Sequence, residues 1–203
     1  MAFLNMLISA VIQLLVFSFI PFIWWLITAR KKCSFMKWIG LKKPQLTISL
    51  VKLAIIVFAV TTLYVLIMMG VVEKVMSGAA TATRQFANNG IAALPQILVY
   101  AVIQTSLSEE IFFRGFLCKR FTDKFGFKIG NLMQALLFGL IHGIPFGLAT
   151  GNVLVFLLLV LLPGAIGWIM GWMNEKCSSG SIVPGWILHA CMNILSGLAT
   201  ALS

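Results

Sequence analysis

Six long apolar segments constrain the fold of this chain more than any other feature of its sequence. They cover residues 2–29, 48–72, 91–117, 129–150, 153–173 and 183–202. Each is about 20 residues or longer, enough for a helix to cross about 30 Å of hydrocarbon. The runs are continuous rather than alternating, which excludes a transmembrane β-barrel. The sequence therefore predicts an all-α polytopic membrane protein with about six transmembrane helices.

Composition supports lipid as the solvent of this fold. Hydrophobic residues make up 61% of the 203 residues and charged residues 10%, whereas soluble domains have about 25% charged residues. No repeat, low-complexity tract or linker divides the chain, so we expect one integral domain. Within it, residues 1–90 hold two transmembrane helices and a basic loop, and residues 91–203 hold a four-helix core.

Basic residues predict the orientation in the membrane. Eleven of them fall near the ends of the spans on one side: Arg30, Lys31, Lys32, Lys37, Lys42, Lys43, Lys119, Arg120, Lys124, Lys128 and Lys176. The other side holds only Lys74 and Arg84. The positive-inside rule makes the eleven cytoplasmic and places both termini outside. The net charge of +10 is then explained by topology and by anionic lipid headgroups, and we expect no nucleic-acid partner.

A few ionisable side chains lie inside the apolar segments. Glu109, Glu110 and Arg114 belong to the third segment, and the two histidines, His142 and His189, belong to the fourth and sixth. A charged side chain at the centre of a transmembrane helix costs about 2.5–3.5 kcal/mol, so it usually faces the protein interior and has a function. Their grouping favours one shared site in the cytoplasmic half of the membrane.

Pairs of polar or aromatic residues recur at a spacing of four. Glu110 with Arg114, and His189 with Asn193, each lie on one face of a helix, and the first pair has the favourable order for an ion pair. Phe138 precedes His142 by four residues and is expected to pack the wall of the site. Taken singly, Glu110 and Arg114 would serve only as a neutralising ion pair, and a His or Asn in a transmembrane helix would serve in helix packing.

These three patterns in order, EExxxR, FxxxH and HxxxN, resemble the signature of the CAAX protease and bacteriocin-processing (CPBP, or Abi) family of intramembrane proteases. The resemblance covers roughly residues 95–200, and the six-helix length is similar to the shorter bacterial members. It implies a multi-pass enzyme of a bacterial cell membrane. The basic residues and the position of the site residues along their helices predict that the active site opens toward the cytoplasm. The eukaryotic and archaeal CAAX proteases of the family are longer, so a small secreted or membrane-anchored peptide is the expected substrate here.

The resemblance also implies roles for individual residues. Glu109 and His142 would activate a water molecule, and His189 and Asn193 would form the oxyanion hole. Glu110 and Arg114 would orient and neutralise the carboxylates. The implied activity is endopeptidase cleavage by a glutamate-type mechanism.

Several alternatives remain open from the sequence. A chain of Glu and His residues also suits a proton-coupled transporter, and the same fold could act as a non-proteolytic immunity or scaffold protein.

We expect no metal cofactor, although Glu109, His142 and His189 are three plausible zinc ligands, because the chain lacks an HExxH pair and Arg114 lies beside the acids. The four cysteines have no CxxC spacing and are assigned no chemistry. A GxxxG motif on a clean apolar face would indicate an oligomer. No such motif is evident in the sequence, so we expect a monomer.

Overall fold

The computed structural model of the protein describes residues 2–68 and 82–203. Its helices are α1 (Ala2–Thr28), α2 (Phe35–Ile39), α3 (Leu50–Ile67), α4 (Gly90–Phe125), α5 (Phe127–Thr150), α6 (Val153–Cys177) and α7 (Val183–Leu202), with a 3₁₀ turn at Ala82–Phe86. No strand occurs in these residues. The all-α prediction is confirmed.

Six of these helices are long and apolar enough to cross a membrane, as the sequence predicts. The short α2 lies in the first basic loop, between the first two spans. The second span is described as the helix Leu50–Ile67, followed by Met68 in helical conformation; residues 69–72 of the predicted segment lie outside the described residues, as does Lys74. The protein is an integral membrane protein.

Helix α4 is wound differently from an ordinary α-helix. It contains two nine-residue π-helical stretches, Val99–Leu107 and Glu110–Cys118, separated by Ser108 and Glu109. In a π-helix each amide bonds five residues back; π-helices are rare, and they occur frequently at functional sites. The sequence periodicity does not reveal this winding.

The third span is also longer than its apolar run. Helix α4 continues through Lys119–Phe125 and α5 begins at Phe127, so the two are joined by Gly126 alone. Gly126 has φ +78° and ψ 161°, a backbone conformation that is essentially restricted to glycine. Lys119, Arg120, Lys124 and Lys128, which the sequence places on the basic side of the membrane, therefore lie on the adjoining ends of these two helices.

Among the described helices, α5 and α6 form the most extensive pair. Gly139, Gly143 and Gly147 form one stripe of α5, and a Cβ on any of them would collide with Val160 or Phe156 of α6. The stripe is therefore used within the chain, because small residues let transmembrane helix backbones approach closely. Helix α5 continues through Pro145, although Gly and Pro in this segment favour a break.

The core of the bundle lies where α3, α4, α5, α6 and α7 meet. Its buried members are Leu53, Phe113, Phe138, Ile166, Met170, Met173, Leu188 and Met192. Helix α1 packs against α4 through Phe17 on Phe112, and the amide of Gln104 donates to Gln13 at 3.3 Å. The four cysteines are free thiols.

The first loop and the loop after α6 are bound to each other at one end of the bundle. The carbonyl of Gly40 accepts from the amide of Ile182 at 2.9 Å, and the carbonyl of Lys42 accepts from the hydroxyl of Ser181 at 2.6 Å. The amide of Thr47 donates to the carbonyl of Cys177 at 3.0 Å. We call residues 40–47 the clamp segment. The basic segments predicted to share one side of the membrane are thus in contact.

Candidate active site

The buried ion pair of α4 is the centre of the candidate site. Nη1 of Arg114 lies 3.0 Å from Oε1 of Glu110, and both side chains are fully buried. This confirms the pairing predicted from their spacing. The guanidinium stacks over the ring of Phe138, with Cζ 4.1 Å from the ring centroid. No Arg114 nitrogen has a partner in hydrogen-bond geometry among the described residues, so the ion pair and the ring hold this cation.

The surrounding backbone leaves room for this cation. A Cβ at Gly167 of α6 would lie 3.0 Å from Nη2 of Arg114 and 3.2 Å from the ring of Phe138. A side chain at this position would push the guanidinium or the ring away by a few tenths of an ångström, so Gly167 gives the guanidinium its room between α4 and α6.

His189 of α7 lies between the two carboxylates. Its Nδ1 is 3.3 Å from Oε1 of Glu110, and its Nε2 is 3.7 Å from Oε2 of Glu109. A carboxylate only accepts, so Nδ1–H donates to Glu110. The imidazole is thus held by Glu110 and presents its other nitrogen to Glu109.

The environments of the two acids differ. Glu110 is in contact with Arg114 and His189, whereas Oε2 of Glu109 is buried without a hydrogen-bond partner among the described residues. A buried acceptor without a partner is costly and needs an explanation. Oε2 of Glu109 is therefore the acceptor that remains available to a water molecule.

The FxxxH pair of α5 lies beside the same residues. Nδ1 of His142 is 2.8 Å from the carbonyl oxygen of Phe138, and since a carbonyl only accepts, Nδ1 carries the proton. The rings of His142 and Phe138 are 4.5 Å apart, and Phe138 meets His189 edge-on at 5.9 Å. Phe138 thus packs against both histidines and Arg114, as expected of a wall residue. Neither a hydrogen bond nor an ion pair joins His142 to Glu109 in the described part of the chain.

Asn193 is bound to α4 by its amide group. Its Nδ2 donates to the hydroxyls of Thr105 at 2.9 Å and Ser106 at 3.1 Å. Both amide hydrogens are used in these bonds. An oxyanion on the substrate could take one of them only by displacing a hydroxyl.

One residue of the site is absent from the sequence prediction. Asn174, in the π-helical last turn of α6, is buried, and its Nδ2 lies 3.4 Å from Oε2 of Glu110. An Asn directly after an apolar run is the signal that the sequence offers, and it is a weak one. Asn174 completes the surroundings of Glu110.

Metal-ligating side chains are not grouped in the described structure. Across residues 2–68 and 82–203, no three His, Cys, Asp or Glu side chains are placed to hold one ion. The charge of Arg114 also lies beside the acids that would serve as ligands. The nearest arrangement of ligand-type groups is His189 between its two carboxylates.

Comparison with known proteins gives the family. No curated protein and no solved structure matches the chain. The family model described as Rce1-like, type II CAAX prenyl endopeptidase, matches residues 90–195, just over half of the chain. The match runs from the start of α4 into α7 and includes the EExxxR, FxxxH and HxxxN residues. The chain therefore belongs to the Rce1-like family of type II CAAX prenyl endopeptidases.

Proposed function

We propose that this protein hydrolyses a peptide bond of a membrane-associated or small peptide substrate, with a water molecule activated by Glu109 and His142. Membership of an endopeptidase family supports the reaction class. The observation that carries the choice of base is Oε2 of Glu109. It lies inside a transmembrane helix, 3.7 Å from Nε2 of His189, and has no hydrogen-bond partner among the residues that the structure describes. A general base needs a free acceptor within reach of the proton it removes.

Contacts favour Glu109 over Glu110 as the base. Both oxygens of Glu110 are engaged, Oε1 by Arg114 and His189 and Oε2 by Asn174. An acceptor already engaged is a poorer base for water. Glu110 and Arg114 thus orient the site, and Glu109 acts on the water.

The proposed reaction runs through ordinary acyl chemistry. The water oxygen attacks the scissile carbonyl carbon while Glu109 takes a water proton, assisted by the unprotonated Nε2 of His142. Asn193 donates to the oxyanion of the tetrahedral intermediate, and His189, whose Nδ1–H is directed at Glu110, donates through Nε2–H in its imidazolium form. The C–N bond then breaks, the acquired proton passes to the leaving amine, and a carboxylic acid and an amine are released.

The position of the site supports entry from the basic side of the membrane. Lys119, nine residues after Glu110 on α4, donates to Glu175 at 2.6 Å and to the carbonyl of Gly180 at 2.8 Å. These contacts lie in the region of basic loops that the positive-inside rule assigns to the cytoplasm. We therefore propose that the substrate approaches from the cytoplasmic side.

Cleavage of defined peptides by purified protein in liposomes tests this proposal. Two internally quenched peptides of one sequence, one with a farnesylated C-terminal CAAX motif and one without the prenyl group, would separate prenyl-dependent from general cleavage. Mass spectrometry of the products would identify the bond, and Glu109→Gln protein is the matched control. We expect cleavage by wild-type protein and none by the variant. Equal cleavage by both would show that Glu109 is not the base, and binding without cleavage of either peptide would favour a scaffold.

A further inference from the structure

The last turn of α6 brings a carboxamide against the buried acid of α4. Nδ2 of Asn174 lies 3.4 Å from Oε2 of Glu110, and Oδ1 of Asn174 accepts from the amide of Gly185 at 2.9 Å. One side chain therefore connects α6 both to Glu110 and to the first turn of α7. His189 lies four residues after Gly185, one turn further along α7.

The contact between Asn174 and Glu110 leaves no room for a side chain at Gly185. A Cβ at Gly185 would lie 2.7–2.8 Å from both polar atoms of the Asn174 carboxamide, and 2.8 Å from Oε2 of Glu110. Real Cβ atoms essentially never show such distances. The carboxamide and the carboxylate therefore meet directly over the backbone of α7, with no space for a side chain between them.

The backbone of Asn174 is fixed as well as its side chain. Its carbonyl accepts from the amide of Gly180 at 2.8 Å and from the hydroxyl of Ser178 at 2.9 Å. The loop that makes these bonds is also hydrogen-bonded to the clamp segment. Asn174 is thus held from both sides and directs its amide at Glu110.

A bond to Oε2 limits what Glu110 can do with Oε1. A carboxylate held at one oxygen cannot rotate freely, so its other oxygen stays directed at Nδ1 of His189. A hydrogen bond at one imidazole nitrogen fixes the orientation and tautomer of the ring, which decides what the other nitrogen presents. Here that other nitrogen faces Glu109.

We propose that Asn174 is a positioning residue, which acts through Glu110 to hold His189 in the orientation that presents Nε2 to Glu109. It touches neither Glu109 nor the predicted oxyanion position. Its effect on catalysis rests on the proposed function, whereas its effect on the His189 ring does not.

The chain allows a spectroscopic test, because it contains two histidines. Protein labelled with ¹⁵N in the imidazole rings gives ring-nitrogen signals for His142 and His189, which a His142→Gln sample assigns. Asn174→Leu keeps the size of the side chain and removes the amide. Asn174→Ser is smaller and easier to accommodate, and it provides a second variant should the first fail to fold.

Asn131 provides the matched control. It is also a fully buried asparagine that bonds to a neighbouring helix, with Nδ2 donating to the carbonyl of Trp168 at 3.0 Å and Oδ1 accepting from Gln134 at 2.8 Å. None of its hydrogen bonds involves Glu110 or His189. Asn131→Leu therefore measures the general cost of losing a buried carboxamide.

We expect both Asn174 variants to shift the His189 signals and to leave those of His142 in place, while Asn131→Leu moves neither. With the quenched peptide that wild-type protein cleaves, kcat should fall by up to about a hundredfold in the Asn174 variants, because a misplaced catalytic group lowers the rate, with KM changed much less. Unchanged His189 signals in folded Asn174→Leu or Asn174→Ser protein would overturn the proposal, whether or not any peptide is cleaved. Shifted signals in the Asn174 variants, together with no cleavage of either peptide by wild-type protein, would support the positioning role and count against the proposed function.

Discussion

Glu109 and Glu110 are neighbours in the chain, yet they face opposite nitrogens of one imidazole. Glu110 lies 3.3 Å from Nδ1 of His189 and Glu109 lies 3.7 Å from Nε2. Successive residues on a helix are rotated by roughly 80–100°, so a single ring between the two side chains can meet both. This arrangement gives the two acids different surroundings, and their substitution should have different consequences.

Replacement of each acid by glutamine should separate catalysis from stability. Glu109→Gln removes the proposed base and nearly preserves volume, so peptide cleavage should be lost while the thermal unfolding of the purified protein stays near that of wild type. Glu110→Gln leaves the Arg114 cation buried and unpaired, which should lower the free energy of unfolding by about 3–5 kcal/mol. Cleavage at the wild-type rate by Glu109→Gln would contradict the assignment of the base.

Substitution of Phe138 should damage both stability and activity. Its ring supports the Arg114 guanidinium and packs against both histidines, so Phe138→Ala should cost about 3–5 kcal/mol in unfolding free energy. Phe138→Leu fills most of the volume but offers no aromatic face to the cation, and it should cost less. Equal stability of the Ala variant and wild type in denaturant titrations would contradict this packing role.

The amide of Asn193 is predicted to stabilise the oxyanion, although it is bound to two hydroxyls in the substrate-free site. Loss of one oxyanion donor typically costs about 10²–10³ in kcat, so Asn193→Ala should show a loss of that order, measured with the cleaved peptide at saturation. Thr105→Val is the control, because it removes one hydroxyl partner and leaves the amide itself. A fall in kcat as large in Thr105→Val as in Asn193→Ala would indicate that Asn193 serves only in packing.

Absence of a metal requirement stays a prediction of the sequence. Protein purified without added metal should contain zinc well below one ion per chain by elemental analysis, and cleavage should survive chelator treatment. Stoichiometric zinc together with chelator-sensitive, zinc-restored cleavage would instead make Glu109, His142 and His189 ligands.

A glycine in the clamp segment should be intolerant of substitution. Gly40 has φ +83°, and a Cβ there would collide with the carbonyl of Gly180. Gly40→Ala should therefore destabilise the protein by more than about 1 kcal/mol, since the substitution is strained by its backbone as well as by its neighbour. Gly90→Ala is a useful control, because Gly90 also has a positive φ, but no atom lies within 4 Å of the place that an alanine methyl would take. A thermal shift as large in Gly90→Ala as in Gly40→Ala would assign the whole effect to the backbone.

The sequence predicts the spans and the ion pair well, because both follow from local rules. A run of apolar residues long enough to cross the bilayer has one solution in lipid, and Glu110 and Arg114 are brought together by helical spacing alone. The location of His189 beside the acids follows from the cost of isolated polar groups in a membrane, which makes them seek each other.

The remaining features depend on tertiary contacts that spacing cannot reveal. The π-helical winding of α4 changes which residues share a face without changing the apolar pattern. The sequence does not predict that α4 extends to Phe125, because the charged residues of Lys119–Phe125 are typical of a loop. Asn174 reaches Glu110 only because α6 ends in a turn held by a loop from elsewhere in the chain.

The clamp segment has a consequence for exchanging parts between relatives. Residues 40–47 lie outside the region matched by the family model, yet their backbone carbonyls fix the loop that carries the end of α6. These hydrogen bonds use backbone atoms of the clamp segment, so they depend on the path of its backbone rather than on the identity of its side chains. A chimera that joins the matched half to foreign N-terminal helices would therefore need this short stretch transplanted with it, even where the two parents share no sequence there.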